Sequence, residues 1–170
     1  RDVFSQVIVP GKIDLIPKLC FMILLPFIFA AALAGLADSA YLAVEHYRGA
    51  AAFCLVTTGC DKVLTSAFAV IAGVPVAVLG VVFYAGVLIA ACLFYRAKSV
   101  RVLATAFLLS LGGLLFSLYS VYLQLAVIKA VCFYCMISAA AATLLFVLWS
   151  IVLVRRIVPR KNSVLPRYLV

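Results

Sequence analysis

Charge is what this sequence has least of. Only 11% of its 170 residues are Asp, Glu, Lys or Arg, where a soluble domain carries about a quarter. With 69% hydrophobic residues and a mean hydropathy of +1.33, water is excluded as the main solvent, and the chain reads as an integral membrane protein. It also lacks a convincing internal repeat, and nothing after Val154 is long enough to make a soluble domain. No small-residue cleavage site follows the first apolar run, so that run is expected to stay as a membrane span rather than leave as a signal peptide.

What the sequence does hold is four long apolar runs. The first is free of charge from Leu19 to Leu36 and continues as a helix to about Tyr47. At about 1.5 Å per residue, such a run nearly crosses a hydrocarbon core of about 30 Å. The second is expected at about Val74 to Phe94, with Gly73 and Pro75 at its start, since proline is tolerated in a first turn. The third is expected at about Val102 to Val127 and the fourth at about Phe133 to Val154. Between the first two, Ala50 to Ile71 is too polar and broken to span. There Thr58 is a plausible N-cap for a short helix from about Cys60 to Phe68. The expected fold is all-α, a four-transmembrane-helix bundle with a short half-helix outside it. It divides into an interfacial segment 1–18, a four-span domain 19–154 and a basic tail 155–170.

The net charge of +9 would suggest nucleic acid in a soluble protein, but here its placement explains it. Four spans put both termini on one side. Arg1, Lys12, Lys18, Arg96, Lys98, Arg101, Arg155, Arg156, Arg160, Lys161 and Arg167 share that side, and only Arg48, Lys62 and Lys129 lie opposite. Basic residues gather on the cytoplasmic face, so both termini are expected to be cytoplasmic and no nucleic acid is needed. Asp38, near the outer end of the first span, reads as an interfacial carboxylate satisfied by water or a neighbour. Gly80, Gly86, Gly112 and Gly113 suit close helix packing or leave room for a flat ligand.

This topology sorts the six cysteines. Cys20 and Cys92 fall near the inner face, about a bilayer away from the others, and read as small buried hydrophobes. Cys54, Cys60, Cys132 and Cys135 fall at the outer face, where disulfides form and persist. One pair could staple loops, and four thiolates could bind zinc. Two adjacent dithiols facing an oxidising compartment suit a relay, in which a thiolate of one pair attacks the disulfide of the other. Cys132-Phe133-Tyr134-Cys135 opens the last span, where two thiols on a first helical turn close a disulfide with little strain and the helix N-terminus stabilises a thiolate. Lys129 could add to that effect or serve as an interfacial anchor. Phe133 and Tyr134 would set the pair against an apolar pocket between helices, open to an acceptor arriving from the lipid.

In this order the elements resemble the vitamin K epoxide reductase family, particularly its bacterial homologues. The residues that carry the resemblance are Cys54-x5-Cys60-Asp61-Lys62-Val63-Leu64, Ser66, Gly73-Val74-Pro75-Val76-Ala77-Val78-Leu79-Gly80 leading to Tyr84, and Cys132-Phe133-Tyr134-Cys135. The resemblance implies a half-helix covering a quinone pocket, with Cys132 and Cys135 as the active-site pair and Cys135 nearest the quinone. It makes Cys54 and Cys60 the shuttle pair and sets Ser66, Phe133, Tyr134, Val76 and Tyr84 beside the acceptor. The implied function is a thiol-disulfide oxidoreductase that supports disulfide formation. Its electron acceptor would be ubiquinone, menaquinone or vitamin K in a bacterial inner membrane. Many bacterial members carry a fused thioredoxin-like domain that has no counterpart after Val154, so the expected donor is a separate extracytoplasmic thioredoxin-fold thiol oxidase. Val76 and Ala139 stand where the animal epoxide reductases have Asn and Tyr. That departure weighs against the alternative, a vitamin K epoxide reductase of the endoplasmic reticulum membrane. A different class of reading is a non-catalytic scaffold held by inert disulfides or zinc.

Overall fold

The computed structural model describes residues 18–48 and 59–157, with side chains from Ile23 onward in the first stretch. Segment 1–17, Cys54, Thr58, the tail from residue 158 and the Cys20 side chain lie outside the described residues. Five α-helices are described: α1 (Lys18–Arg48), α2 (Gly59–Leu64), α3 (Val76–Ala97), α4 (Val100–Tyr122) and α5 (Phe133–Ile157). All but α2 are long and apolar enough to cross a membrane. The chain is an all-α, multi-pass membrane bundle.

In the bundle α1 packs on α3 and α5, and α4 packs on the same two helices, so the four spans form a closed ring. Small residues make that closeness possible: Ala31, Ala32, Ala90, Ala91 and Ala106 are buried where helices meet. Larger side chains fill what remains, with Trp149 against Phe94 edge to face at 5.6 Å and Ile28, Leu103 and Leu145 around them. Ile23, Phe27, Val82, Ile89, Leu108, Leu115 and Val147 point outward. Exposed apolar side chains at those heights are stable because hydrocarbon, not water, surrounds the bundle.

Spans alternate in direction, so the end of α1, the starts of α3 and α5 and the end of α4 share one face of the bundle. The opposite face carries the α3–α4 turn, where Lys98 adopts the left-handed conformation and its N–H reaches the Phe94 carbonyl at 2.9 Å. Arg156 of α5 donates to the Lys98 carbonyl at 3.0 Å and lies over the Phe94 ring, tying α5 to this basic turn. Cys92 is a free thiol exposed on α3 and not a buried hydrophobe. A span bounded by lipid gives a small apolar side chain no reason to turn inward.

The segment between α1 and α3 departs most from expectation. The half-helix stops at Leu64, because Thr65 and Ser66 turn their hydroxyls back onto the Asp61 and Val63 carbonyls. A 3₁₀ turn at Ala67–Ala69 follows, then a two-stranded hairpin of β1 (Val70–Ile71) and β2 (Val74–Pro75). Its turn residues, Ala72 and Gly73, both have positive φ, as a two-residue hairpin with right-handed twist requires. Pro75 therefore ends a strand at the N-cap of α3 instead of lying inside its first turn. The end of the third span also differs: Leu123–Ile128 winds as a π-helix. Its hydrogen bonds span one more residue than those of an α-helix, and the wider turn changes which side chains face inward.

Candidate redox site

Cys132 occupies the N-cap of α5. Its carbonyl accepts the first helical bond, from Met136 N–H at 3.1 Å, and its Sγ accepts the backbone N–H of Cys135 at 3.3 Å. A sulfur here does what Ser or Asp usually does at an N-cap, and the bond is strongest when the sulfur is charged. The Cys135 thiol donates to the same sulfur across 2.7 Å. These contacts hold the Cys132 thiol below the usual range, chiefly through the Cys135 S–H and further through the Cys135 and Tyr134 N–H groups. Burial and the Asp38 carboxylate oppose them. Lys129 has no part in this: it is exposed, in the left-handed conformation that ends the π-helix.

In the reduced protein the Cys132 deprotonation midpoint is therefore expected below the ordinary thiol value of about 8.5. Cys135→Ala should raise it toward that value, read from thiolate absorbance against pH. Because the folded value is depressed, this group stabilises the reduced fold above the ordinary thiol range. That contribution is lost as pH falls through the lowered midpoint. An unchanged midpoint in the variant would mean that Cys135 is not the donor that matters.

The two sulfurs face different surroundings. Cys135 lines an apolar cavity of about 400 Å³ between the spans, whereas Cys132 is fully buried outside the cavity wall. The half-helix, 3₁₀ turn and hairpin cover this cavity, contributing Val63, Leu64, Ser66, Phe68 and Ile71. Gly112 of α4 borders the cavity with open space where a Cβ would be, while a Cβ on Gly113 would overlap the Phe83 ring. The glycine pair thus serves both purposes, one residue each.

Of the residues placed at the acceptor by resemblance, Ser66, Val76, Tyr84 and Cys135 line the cavity. The Ser66 hydroxyl already donates to the Val63 carbonyl at 2.7 Å. Tyr84 donates to the Ser138 carbonyl at 2.6 Å, with the Ser138 hydroxyl 3.0 Å away, and its ring fills the notch left by Gly35. Tyr84→Phe should cost about 1 kcal/mol of stability. Gly35→Ala, which drives a methyl into the ring, should cost about 1 to 3 kcal/mol; thermal unfolding in detergent checks both. Phe133 and Tyr134 are not in the cavity wall. Phe133 is exposed, and Tyr134 lies against Tyr41 of α1, ring centroids 5.1 Å apart. Two consecutive residues at a helix start point away from the fourth, as a turn of about 100° per residue requires.

Cys60 is buried and disulfide-bonded, and because Cys92, Cys132 and Cys135 are free, its partner lies outside the described side chains. A Cβ on Gly59 would overlap the Val131 backbone. Glycine lets α2 rest on the residue before Cys132, so the disulfide-bonded cysteine and the N-cap cysteine each adjoin one backbone contact.

Several cavity residues went unnoticed in the sequence. His46, the chain's single histidine, lines the cavity from the C-terminal end of α1. Gln124 is 3% exposed in the π-helix, where its Oε1 accepts Cys132 N–H at 2.9 Å. The available signal was a lone carboxamide in an apolar span, a rare and costly placement. Asp38 is also close by, its charge felt at Cys132, but its Oδ2 is buried with no hydrogen-bond partner among the described residues.

A dithiol with one buried and one half-buried sulfur beside a cavity between four spans fits a membrane redox protein. The family model for the vitamin K epoxide reductase family matches residues 26–150, most of the chain, and the chain belongs to that family. It is thus a membrane oxidoreductase, and the family acts with quinones in general.

Proposed function

We propose that the protein passes electrons from a reduced thioredoxin-fold partner through Cys54/Cys60 to Cys132/Cys135 and on to a membrane quinone, sustaining disulfide formation outside the cytoplasm. The observation that carries this reading is the division of the dithiol: Cys135 borders the apolar cavity, and Cys132 lies behind it, next to the contact of α2 with Val131. This division supports a path in which Cys132 receives the incoming electrons and Cys135 passes them to the acceptor.

The partner's thiolate attacks the Cys54/Cys60 disulfide and leaves oxidised, giving up two electrons and two protons. A shuttle thiolate then attacks the Cys132/Cys135 disulfide, restoring the first disulfide and releasing Cys135. Cys132 and Cys135 close their disulfide again as the electron pair leaves through Cys135. A quinone held in the cavity would supply the two-electron acceptor, the two protons of the dithiol balancing its conversion to hydroquinone. The residues fit such a group: the walls are apolar, the volume lies within the range of small-molecule sites, and the reactive thiol is in the wall. Val76 and Ala139 both line the cavity and bring none of the polar groups that the animal epoxide reductases have there, which weighs against an epoxide substrate. The basic residues argue for cytoplasmic termini and extracytoplasmic cysteines, and the departures at Val76 and Ala139 for a bacterial inner membrane.

Anaerobic turnover in detergent with candidate quinones and a reduced thioredoxin-fold protein, followed by trapping of the mixed disulfide, tests this. Hydroquinone should appear with one partner disulfide per turnover. Thiol oxidation without any quinone dependence would refute it.

A further inference from the structure

The π-helix at the end of α4 has a consequence for the acceptor. Its first turn turns Gln124 inward, and the chain then uses both ends of that residue. The backbone carbonyl accepts Lys129 N–H and, at 3.1 Å, Ala130 N–H, closing the wide turn. The side-chain Oε1 accepts Cys132 N–H, which holds the N-cap of α5 in place. That bond also fixes the carboxamide plane. The amide nitrogen is left with two N–H donors and no hydrogen-bond partner among the described residues, on a side chain that lines the cavity bordered by Cys135. Two other polar groups of the wall are committed, Ser66 donating to Val63 and Tyr84 to Ser138, while Ser39, His46, Ser117 and Ser120 also line the cavity. On a side chain only 3% exposed, the Gln124 amide donor is available to an acceptor held in the cavity.

We infer that Gln124 is a two-sided acceptor-binding residue: its oxygen holds the Cys132 backbone while its Nε2 donates to a carbonyl oxygen of the quinone beside Cys135. This rests on the reading that a quinone occupies the cavity. The donor is worth most as Cys132 and Cys135 close their disulfide, when two electrons and two protons arrive at the acceptor and negative charge builds on its oxygen. Because one amide touches both partners, acceptor binding and the position of the C-x-x-C are coupled through a single rigid group.

Two substitutions separate the two ends. Gln124→Glu, studied at pH 8, keeps an oxygen for Cys132 N–H and removes the donor. Gln124→Met removes both and keeps the volume. The probe is menadione, a short quinone, measured by equilibrium binding as well as turnover; the independent readout is thiol-disulfide exchange of Cys132/Cys135 with dithiothreitol, without quinone. Gln124→Glu should weaken menadione binding about tenfold and slow the exchange less than Gln124→Met does. Gln124→Met should impair both. Unchanged menadione binding in Gln124→Glu would overturn the inference, as would equal losses of binding and exchange in both variants, the mark of a purely structural glutamine. If the wild type reduced and bound no quinone while exchanging dithiols normally, the acceptor reading itself would fall and this inference with it.

Discussion

Cys135→Ser should reduce quinone-linked turnover by about a thousandfold or more, whether electrons come from a thioredoxin-fold protein or from dithiothreitol. Cys135 is the sulfur in the cavity wall, and no other described thiol borders that space. Serine keeps the shape and a donor toward Cys132 but cannot form or release a disulfide. Cys132 in this variant should still be trapped as a stable mixed disulfide, since nothing remains to resolve it. The matched control is Cys60→Ala. It removes the buried half-helix cysteine, so turnover with the protein donor should be lost while turnover with dithiothreitol survives. Equal loss with both donors would mean that Cys60 maintains the site instead of feeding it. Quinone-dependent activity retained by Cys135→Ser would remove the central residue of the proposed path.

Gly59→Val should slow protein-driven turnover by about ten- to a hundredfold with little effect on dithiothreitol-driven turnover. Any Cβ at this position would overlap the Val131 backbone, which cannot swing aside as a flexible side chain could. Overpacking of this kind costs about 1 to 3 kcal/mol, and undocking α2 relieves it more cheaply than deforming the bundle. α2 is short and touches the π-helix and α5 through few residues, so its docked population should absorb the cost. The measurement is the rate of electron transfer from a pre-reduced shuttle pair to Cys132/Cys135 by rapid quench and thiol labelling. Equal slowing with both donors would show that the substitution has disturbed the cavity as well as the docking.

Much of the architecture was legible because a membrane imposes simple rules. Backbone groups in hydrocarbon must be satisfied within the helix, so an apolar run of sufficient length has one stable form. The ends of α1 and α5 accordingly fall close to expectation. The C-x-x-C was legible at the helix start for a local reason, since a four-residue spacing reports itself in any fold. The hairpin at Val70–Pro75 was not legible: two residues per strand carry no periodicity, and Ala72 in a left-handed turn contradicts its own preference. The π-helix was equally silent, because within six residues an apolar pattern does not separate 3.6 from about 4.4 residues per turn.

The residues around the thiols divide in the same way. Composition and the placement of apolar runs determined a four-span membrane protein with a C-x-x-C at the start of its last span, because solvent and length leave few alternatives. Tertiary structure alone decided that Cys135 faces the cavity and Cys132 lies behind it, that Phe133 and Tyr134 turn away, and that Gln124 reaches the C-x-x-C backbone. Those outcomes depend on the rotation of one helix against another and on a glycine too small to block an approach, and contacts across the bundle set both.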